Sequence, residues 1–464
     1  MAGVKSGVLL LYRGSRDAGR NNTLRCLILD QDHVGLDLAM RAVAAGHEVR
    51  LFRYSAKPTK YAEGFKGITL VDDYKPSMSW AKDGLIFVTS NSRYLWELDR
   101  YRTEFGYKIF GPTVASARLE IERSAGMEAM AAIGVEVPPY ETFSSLEDAD
   151  AFVRKSDVAW VHKPLGSEEQ KNLTYVSRDP ADMSGWLRRQ IALGYKLKGK
   201  AMLQQKVDRL AEFGVSGWMG SDGFLPDKFQ TCIEHKKLGN DETGPTTGEM
   251  GSCCQYVETD KLAEQMLKPM EPILRTLGHR GDFSVGAMID TSGKAHFLEF
   301  TARMGYPALW IQIASHRGDP IQWMRDALDG KDTLKVSNDV AIGVVMGQPD
   351  MPYDNASPTE VEGVPIHGAE SALPDIHLVE VMMGRGPVMD GGKVVDRPIY
   401  VTAGTYVAVA TGLGKTVEKA RKRAYTAADA VHWPDKILRT DIGLKVIKAL
   451  PALHRHGYAL DMEP

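Results

Sequence analysis

The stretch Ala295 to Pro307, AHFLEFTARMGYP, runs from a short apolar, strand-like segment into a carboxylate, Glu299, then Thr301 and Arg303, and ends in a Gly-Tyr-Pro turn. Side chains two apart on a strand project to the same side, so Glu299 and Thr301 offer a pair of oxygen ligands suited to magnesium. Arg303 falls on that side too and adds a guanidinium matched to phosphate. Together they would suit a site handling ATP phosphates. An exposed edge strand with alternating polar residues reads almost the same, so this stretch does not decide alone.

The chain has 464 residues, enough for roughly three folding units and a large buried core. Its 43% hydrophobic and 25% charged content is that of a soluble globular protein, and a net charge of −3 exerts no global pull on nucleic acid or membrane. Cys26, Cys232, Cys253 and Cys254 lack zinc spacing and read as reduced thiols, which points to the cytoplasm. The apolar run Gly7 to Tyr12 is too short for a secretion signal, and no later run approaches a membrane span. The arginine-bearing residues 1–24 read as an extension.

From Arg25 the pattern is strand, turn, helix, strand: RCLILD, QDHVG, LDLAMRAVAAG, HEVRLFRY. It repeats through GLIFVTS and LWELDRYRTEFG, which predicts a doubly wound parallel sheet over residues 25–122. DVAWVHKP and LTYVS, strands around a polar loop, predict a small α+β lid-like unit. A third block carries AMLQQKV, VGAMID, AHFLEF and a helix DKLAEQMLKPMEPILRTLG, and a last one has short strands and a helix from about Thr416.

Two further segments carry chemistry. EHKKLGNDETGPTTGEMG, Glu234 to Gly251, is too rich in glycine, threonine and proline for a regular element and reads as a long ordered loop, either functional or a solvated surface loop. VHKPLGSEEQKNLTYV places Lys163 at a strand end and Lys171 on the following loop, as point charges against phosphates or as solvated lysines.

In this order the segments resemble the phosphoribosylamine–glycine ligase (glycinamide ribonucleotide synthetase) family of the ATP-grasp superfamily. HKKLGNDETGPTTGEMG is similar to the family's HKR-x-G-x-x-D-x-GPNTGGMG, and LEFTARMGYP to its IEFN-x-RFGDP. DRPIYVTAGTYVAVATGLGKTVEKARKRAY resembles its C-terminal domain, and KILRTDIG, Lys436 to Gly443, its terminal FYRxDIG. The resemblance implies an α/β and α+β protein: a doubly wound N-terminal domain, an ATP-grasp domain over 123–335 with its lid at about 135–195, a C-terminal α+β domain over 336–446, and a tail over 447–464.

It also implies roles. Glu299 and Thr301 take the metal-binding positions, for Mg2+ or Mn2+. Arg303 falls on the phosphate- and substrate-side arginine, and Lys171 on the lid-loop lysine; these two are the catalytic candidates. Arg123, Lys163, Lys171, Gln204, Gln205, Val207 and Glu212 occupy ATP-contacting positions. His235, Lys236, Thr243, Gly244, Pro245, Thr246, Thr247, Gly248 and Arg303 fall on the substrate side. The implied reaction joins a small carboxylate to an amine through an acyl phosphate made from ATP. No membrane partner is expected, and monomer and homodimer both stay open.

The chain departs from the family where the amine substrate would sit. The glycine-rich first turn becomes Asp30-Gln31-Asp32-His33-Val34-Gly35, with one glycine and two carboxylates that would repel a phosphate. TSNSRYLWELDRYR replaces the family's GPE-type turn; its Arg93, Arg100 and Arg102 are either anion contacts or exposed helix arginines. Glu168 and Glu169 enter the lid loop, Thr301 replaces an asparagine, and Tyr306 and Ala308 replace acidic residues. The expected acceptor is therefore the family's own amine or a different one, in a modified nucleoside, nucleotide or nucleic acid, while a catalytically dead nucleotide-binding homologue is the alternative.

Overall fold

RCLILD forms strand β1 (Arg25–Asp30), and five of its six residues are buried because it lies in the middle of a parallel sheet, covered on both faces. With β2 (Glu48–Arg53), β3 (Ile68–Val71), β4 (Leu85–Val88) and β5 (Ile109–Phe110) the strand order is β3-β2-β1-β4-β5. The chain leaves β1 toward β2 and returns on its other side as β4, so the crevice beyond the carboxyl ends of β1 and β4 is a topological switch point, where open α/β sheets place ligands. The coordinates are a computed structural model, which describes residues 23–54, 59–91, 93–165, 174–197, 199–353 and 355–464.

A second, antiparallel sheet has β6 (Tyr140–Phe143), β7 (Trp160–Pro164), β8 (Tyr175–Val176) and β9 (Ala201–Gln205) in the order β6-β9-β7-β8. Helices Leu146–Val153 and Pro180–Ala192 cover it and bury Leu146, Leu187 and Trp160 in a separate small core. The largest sheet has nine strands. β14 (Ala295–Thr301), β13 (Gly281–Ile289), β10 (Ala211–Met219), β11 (Phe224–Gly239) and β12 (Thr243–Val257) lie side by side, and Val340–Gly347, Tyr406–Gly414 and Ile376–Leu378 continue the same sheet. The C-terminal segment thus extends the central sheet through pairing of β12 with Val340–Gly347.

Three local expectations are corrected. Glu234 to Gly251 is a long hairpin, not a loop: β11 and β12 pair antiparallel around a 3-10 turn at Asn240–Glu242. Register shifts at His235/Lys237 and Lys237/Gly239 absorb the residues that break strand periodicity. The helix expected from DKLAEQMLKPMEPILRTLG is a π-turn at Ala263–Leu267, a 3-10 turn at Lys268–Met270 and an α-helix at Glu271–Thr276, because Pro269 and Pro272 cannot donate to a continuous ladder. The segment read as a tail completes helix Leu444–Arg455 and buries Leu450, Leu453, Tyr458 and Met462. Among the described residues no helix is long and apolar enough to cross a membrane, and all four cysteines are free.

Candidate active site

Strict alternation would put Phe297, Glu299 and Thr301 on one side of β14. A bulge resolves the conflict: Gly286 of β13 pairs with Glu299 while Ala287 pairs with Phe297, leaving Leu298 extra. Phe297 and Phe300 therefore both enter the core, ring centroids 4.5 Å apart, and Glu299 turns away from it. There it meets two cations. Arg123, the first residue of helix Arg123–Ala132, hydrogen-bonds one carboxylate oxygen, and Lys236 of β11 lies 3.1 Å from the other. Lys236 also reaches Glu212 of β10 at 2.7 Å and Glu234 at 3.2 Å.

Lys163 approaches from the second sheet, 8% exposed, with its ammonium 2.7 Å from Gln204 Oε1 on β9 and 3.4 Å from the Leu298 carbonyl. Burial first, then the neighbouring Arg123, drives its pKa down to about 7. Burial also works against ionisation of Glu299, but Lys236, Arg123 and Lys163 outweigh it and hold the carboxyl well below its usual range. The ammonium of Lys236 is held well above its ordinary value, because Glu212, Glu234 and Glu299 overcome burial. Residues from both antiparallel sheets and from helix Arg123–Ala132 thus form one ionised cluster that includes predicted Arg123, Lys163, Gln204, Glu212, Lys236 and Glu299. Gln205 ends β9 and Val207 follows it, half-buried beside this cluster in sequence. Lys171, Glu168 and Glu169 lie outside the described residues.

Thr301 ends β14 on the Glu299 side. Arg303 does not join the cluster: it pairs with Glu120 at 3.1 Å and lies 4.8 Å over the ring of Tyr306, whose hydroxyl hydrogen-bonds the Thr89 carbonyl beyond β4. Glu120, which also accepts from Ala302 N at 2.7 Å, carries no signal in the sequence, since it is one glutamate of an ordinary helix.

The hairpin residues divide. His235, expected on the substrate side, is corrected to a buried brace: Nδ1 meets the Gly251 carbonyl at 3.2 Å and Nε2 accepts from Gly443 N at 3.2 Å. Burial, with Lys445 and Arg439 nearby, keeps its pKa well below the usual histidine value. Thr243 likewise closes the turn by donating to the Asn240 carbonyl at 2.7 Å, beside Gly244 at φ +80°. Thr246 accepts from Lys237 at 2.8 Å and Thr247 donates to the Lys236 carbonyl at 3.0 Å, so both rigidify the strands that present Lys236. Pro245 is half-buried and Gly248 exposed between them. The hairpin tip is clasped by the RTDIG segment. Arg439, 1% exposed, pairs with Glu242 at 3.0 Å and with Asp441 at 2.8 Å and donates to the Lys237 carbonyl at 2.9 Å.

At the switch point the departure from the family acquires a cause. Asp30 is fully buried and turns its carboxylate onto the start of helix Leu36–Ala45, accepting from Val34 N at 3.1 Å and Gly35 N at 2.8 Å. Tyr61 and Thr89 donate to it as well, at 2.7 and 3.1 Å. Two N–H groups at the mouth of the helix, those of Val34 and the N-cap Gly35, are thus satisfied by an internal anion where an external one would otherwise be favoured. The one remaining glycine is needed for that contact, because a Cβ on Gly35 would lie 3.0 Å from the Asp30 carboxylate. Of the three arginines, Arg102 holds the chain after β5 through the Gly111 and Pro112 carbonyls, Arg100 pairs with Glu104 on the surface, and Arg93 lies 4.0 Å over the Tyr54 ring. Arg100 and Arg102 are thereby spoken for structurally.

Comparison with known proteins agrees with this architecture. Residues 124–308 match the family model of the phosphoribosylglycinamide synthetase ATP-grasp (A) domain, and residues 341–445 that of its C domain. Phosphoribosylamine–glycine ligase of Escherichia coli O157:H7 is 28% identical over 368 residues, 76% of this chain and 80% of that protein. The Vibrio cholerae serotype O1 protein of the same name is 28% identical over 362 residues, 75% and 80% of the two chains. The phosphoribosylamine–glycine ligase structure from Thermotoga maritima superposes with a TM-score of 0.67 at 20% identity, covering 90% of this chain and all of that one. An L-amino acid ligase of Bacillus licheniformis shares the fold at a TM-score of 0.57 and 14% identity, over 89% and 99% of the chains. With both domains of one family matched in order across more than half of its length, the chain belongs to the phosphoribosylglycinamide synthetase family.

Proposed function

We propose that this protein is an ATP-dependent carboxylate–amine ligase of the cytoplasm that activates a small carboxylate as an acyl phosphate and passes the acyl group to an amine, releasing ADP and phosphate. The observation that carries the reading is the meeting of Arg123 and Lys236 on Glu299, with Lys163 held beside them against the Leu298 carbonyl. Lys163, which hydrogen-bonds only neutral oxygens among the described residues, is the cation that receives the nucleotide's phosphates. Gln204, Gln205 and Val207 flank the nucleotide, and Glu212 orients Lys236. Lys171 is the lid-loop cation that would complete the phosphate shell.

The donor set suits magnesium. Among the described residues no three His, Cys, Asp or Glu side chains form a ready-made cage, and magnesium at nucleotide sites is held by one or two protein oxygens with phosphates and water completing the shell. Glu299 and Thr301 are those oxygens here. Bound there, the ion neutralises charge on the transferred phosphoryl group. Arg303, placed by Glu120 and Tyr306 between this cluster and the switch point, lies where the acyl phosphate meets the amine. The amine nitrogen attacks the acyl carbon, a C–N bond forms, the C–O bond to phosphate breaks, and the leaving phosphate takes the proton shed by nitrogen. Excluding water keeps the intermediate from hydrolysis. The test is magnesium-dependent ADP release with a panel of amino acids and amines. Wild-type protein that binds ATP yet releases no ADP with any pair would overturn the reading.

A further inference from the structure

The acceptor side of the cleft is bounded by a closed circuit of contacts. His33 lies 3.6 Å from Glu380, and Glu380 accepts from Tyr406 N at 2.8 Å. The Tyr406 ring meets Trp310 at 5.7 Å between centroids, and Trp310 meets Tyr306 at 5.9 Å. Tyr306 bonds the Thr89 carbonyl, and Thr89 bonds Asp30, which begins the turn carrying His33. The circuit draws together residues from 30 to 406.

Along this circuit, buried polar atoms lack hydrogen-bond partners among the described residues: Ser90 Oγ, both amide atoms of Asn91, Trp310 Nε1, Tyr406 OH and His33 Nε2. Ser90 is 2% exposed and Trp310 is 0% exposed. Buried donors and acceptors are normally satisfied, and a cluster of unsatisfied ones around one cleft marks atoms that a ligand completes. Their kinds define that ligand. Hydroxyls, an amide and an indole N–H pair with hydroxyl groups and ring heteroatoms, while the Glu380 carboxylate beside His33 favours an amine.

Phosphate finds no comparable welcome. Asp30 already takes the N–H groups of Val34 and Gly35 before helix Leu36–Ala45, Arg303 is matched by Glu120, Arg93 lies over the Tyr54 ring, and His33 faces Glu380, with Asp30 and Asp32 beside it. We infer that the acceptor is a phosphate-free amine on a hydroxyl-bearing skeleton of the aminosugar or nucleoside class, held between the Asp30–Gly35 turn, Ser90-Asn91 and the Trp310–Tyr406 wall. The inference rests on the ligase reading above and narrows it.

The experiment compares matched acceptors, ribosylamine against its 5-phosphate and glucosamine against its 6-phosphate, each with magnesium-ATP and an amino-acid panel. The expected result is at least tenfold higher kcat/KM for the phosphate-free member of a pair. Preference for the phosphate ester, or for an amine borne on an oligonucleotide, overturns the inference. Thermal shift with the same pairs, without ATP, reads the subsite independently of turnover: tighter binding of the phosphate ester, or no binding of either member, overturns the inference, whereas binding of the phosphate-free amine without ADP release supports it and counts against the ligase reading alone. In the enzyme that turns over, Ser90→Ala should raise the KM for the amine several-fold, leave the KM for ATP unmoved, and leave the melting temperature unchanged because Ser90 Oγ has no protein partner to lose. An unchanged amine KM would overturn the placement of the subsite.

Discussion

Lys163 and Asp30 pose one physical problem and solve it in opposite ways. Each is a buried charge at the end of a strand, beside a place where a relative of this chain would meet phosphate. Lys163 hydrogen-bonds neutral oxygens, Gln204 and a carbonyl, and has no carboxylate in direct contact among the described residues, which leaves it able to take an incoming anion. Asp30 supplies the anion itself and satisfies Val34 N, Gly35 N, Tyr61 and Thr89 within the fold. On the proposed assignment the nucleotide side is held open for phosphate and the acceptor side is closed to it. A ligase can keep its phosphoryl chemistry while its acceptor changes when, as proposed here, the nucleotide side draws Lys163 from the four-stranded sheet and the acceptor side draws Asp30 from the parallel one.

The largest effect is expected where the nucleotide cluster converges. Glu299→Ala removes the proposed metal ligand and leaves Lys236 and Arg123 without their shared carboxylate. Magnesium-dependent ADP release should fall at least a hundredfold, a barrier increase of about 3 kcal/mol. Circular dichroism should show the fold intact, since Phe297 and Phe300, not Glu299, fill the core. Retained turnover in this variant would remove the basis for the comparison.

Next is the pH dependence that an open cation imposes. With Lys163 titrating at about 7 in the free protein, the ammonium that phosphate needs is present below that value and lost above it. Binding of ATP must then take up a proton, and affinity should fall by up to about tenfold per pH unit above neutrality. Calorimetry between pH 7.5 and 9.5 measures this. Lys163→Arg, which keeps its charge throughout, should flatten the profile; an equally steep profile in the arginine variant would place the titrating group elsewhere.

The acceptor side predicts a loss of stability with a gain of anion binding. Asp30→Asn keeps the size but replaces one acceptor oxygen with a donor, so Gly35 N or Val34 N loses its partner. The cost should be about 2 kcal/mol in a denaturant titration. Inorganic phosphate should then stabilise the variant more than the wild type, in which Lys163 offers an anion site but the start of helix Leu36–Ala45 does not. Phosphate stabilising both equally would mean that Asp30 does not fill an anion site.

What was legible in the sequence follows the range over which each signal acts. RCLILD followed by a helix-length segment carries its parallel strand locally, and paired motifs such as KILRTDIG and HKKLGNDETGPTTGEMG identify segments that meet through Arg439 and Glu242. The hairpin of β11 and β12 was hidden because register shifts accommodate glycines that ordinary strands avoid. Arg123, Lys163, Glu212, Lys236 and Glu299, expected on separate segments, lie together in the fold, whereas the backbone partners of His235, Gly251 and Gly443, are set by tertiary contact and leave no signal in the sequence. The acceptor circuit was illegible: Asp30, Ser90, Trp310 and Tyr406 have no common spacing, and only the order of strands brings them together.

Thr301 offers the finest test of the contrast, because there the nucleotide side itself departs from the family pattern. A threonine hydroxyl and an asparagine carbonyl are both neutral oxygens, but the amide carbonyl is the stronger ligand for a hard cation and extends one bond further. The residue ends β14, so a side chain one atom longer changes no pairing within the sheet. Thr301→Asn should therefore lower the magnesium concentration for half-maximal ADP release by about threefold, roughly 0.6 kcal/mol. The amine KM should not move, because the acceptor circuit runs through Tyr306, Trp310 and Tyr406 and does not include Thr301. If the substitution shifted acceptor affinity instead of magnesium dependence, the two subsites would share this residue, and phosphoryl chemistry and acceptor choice would not be separable in this protein.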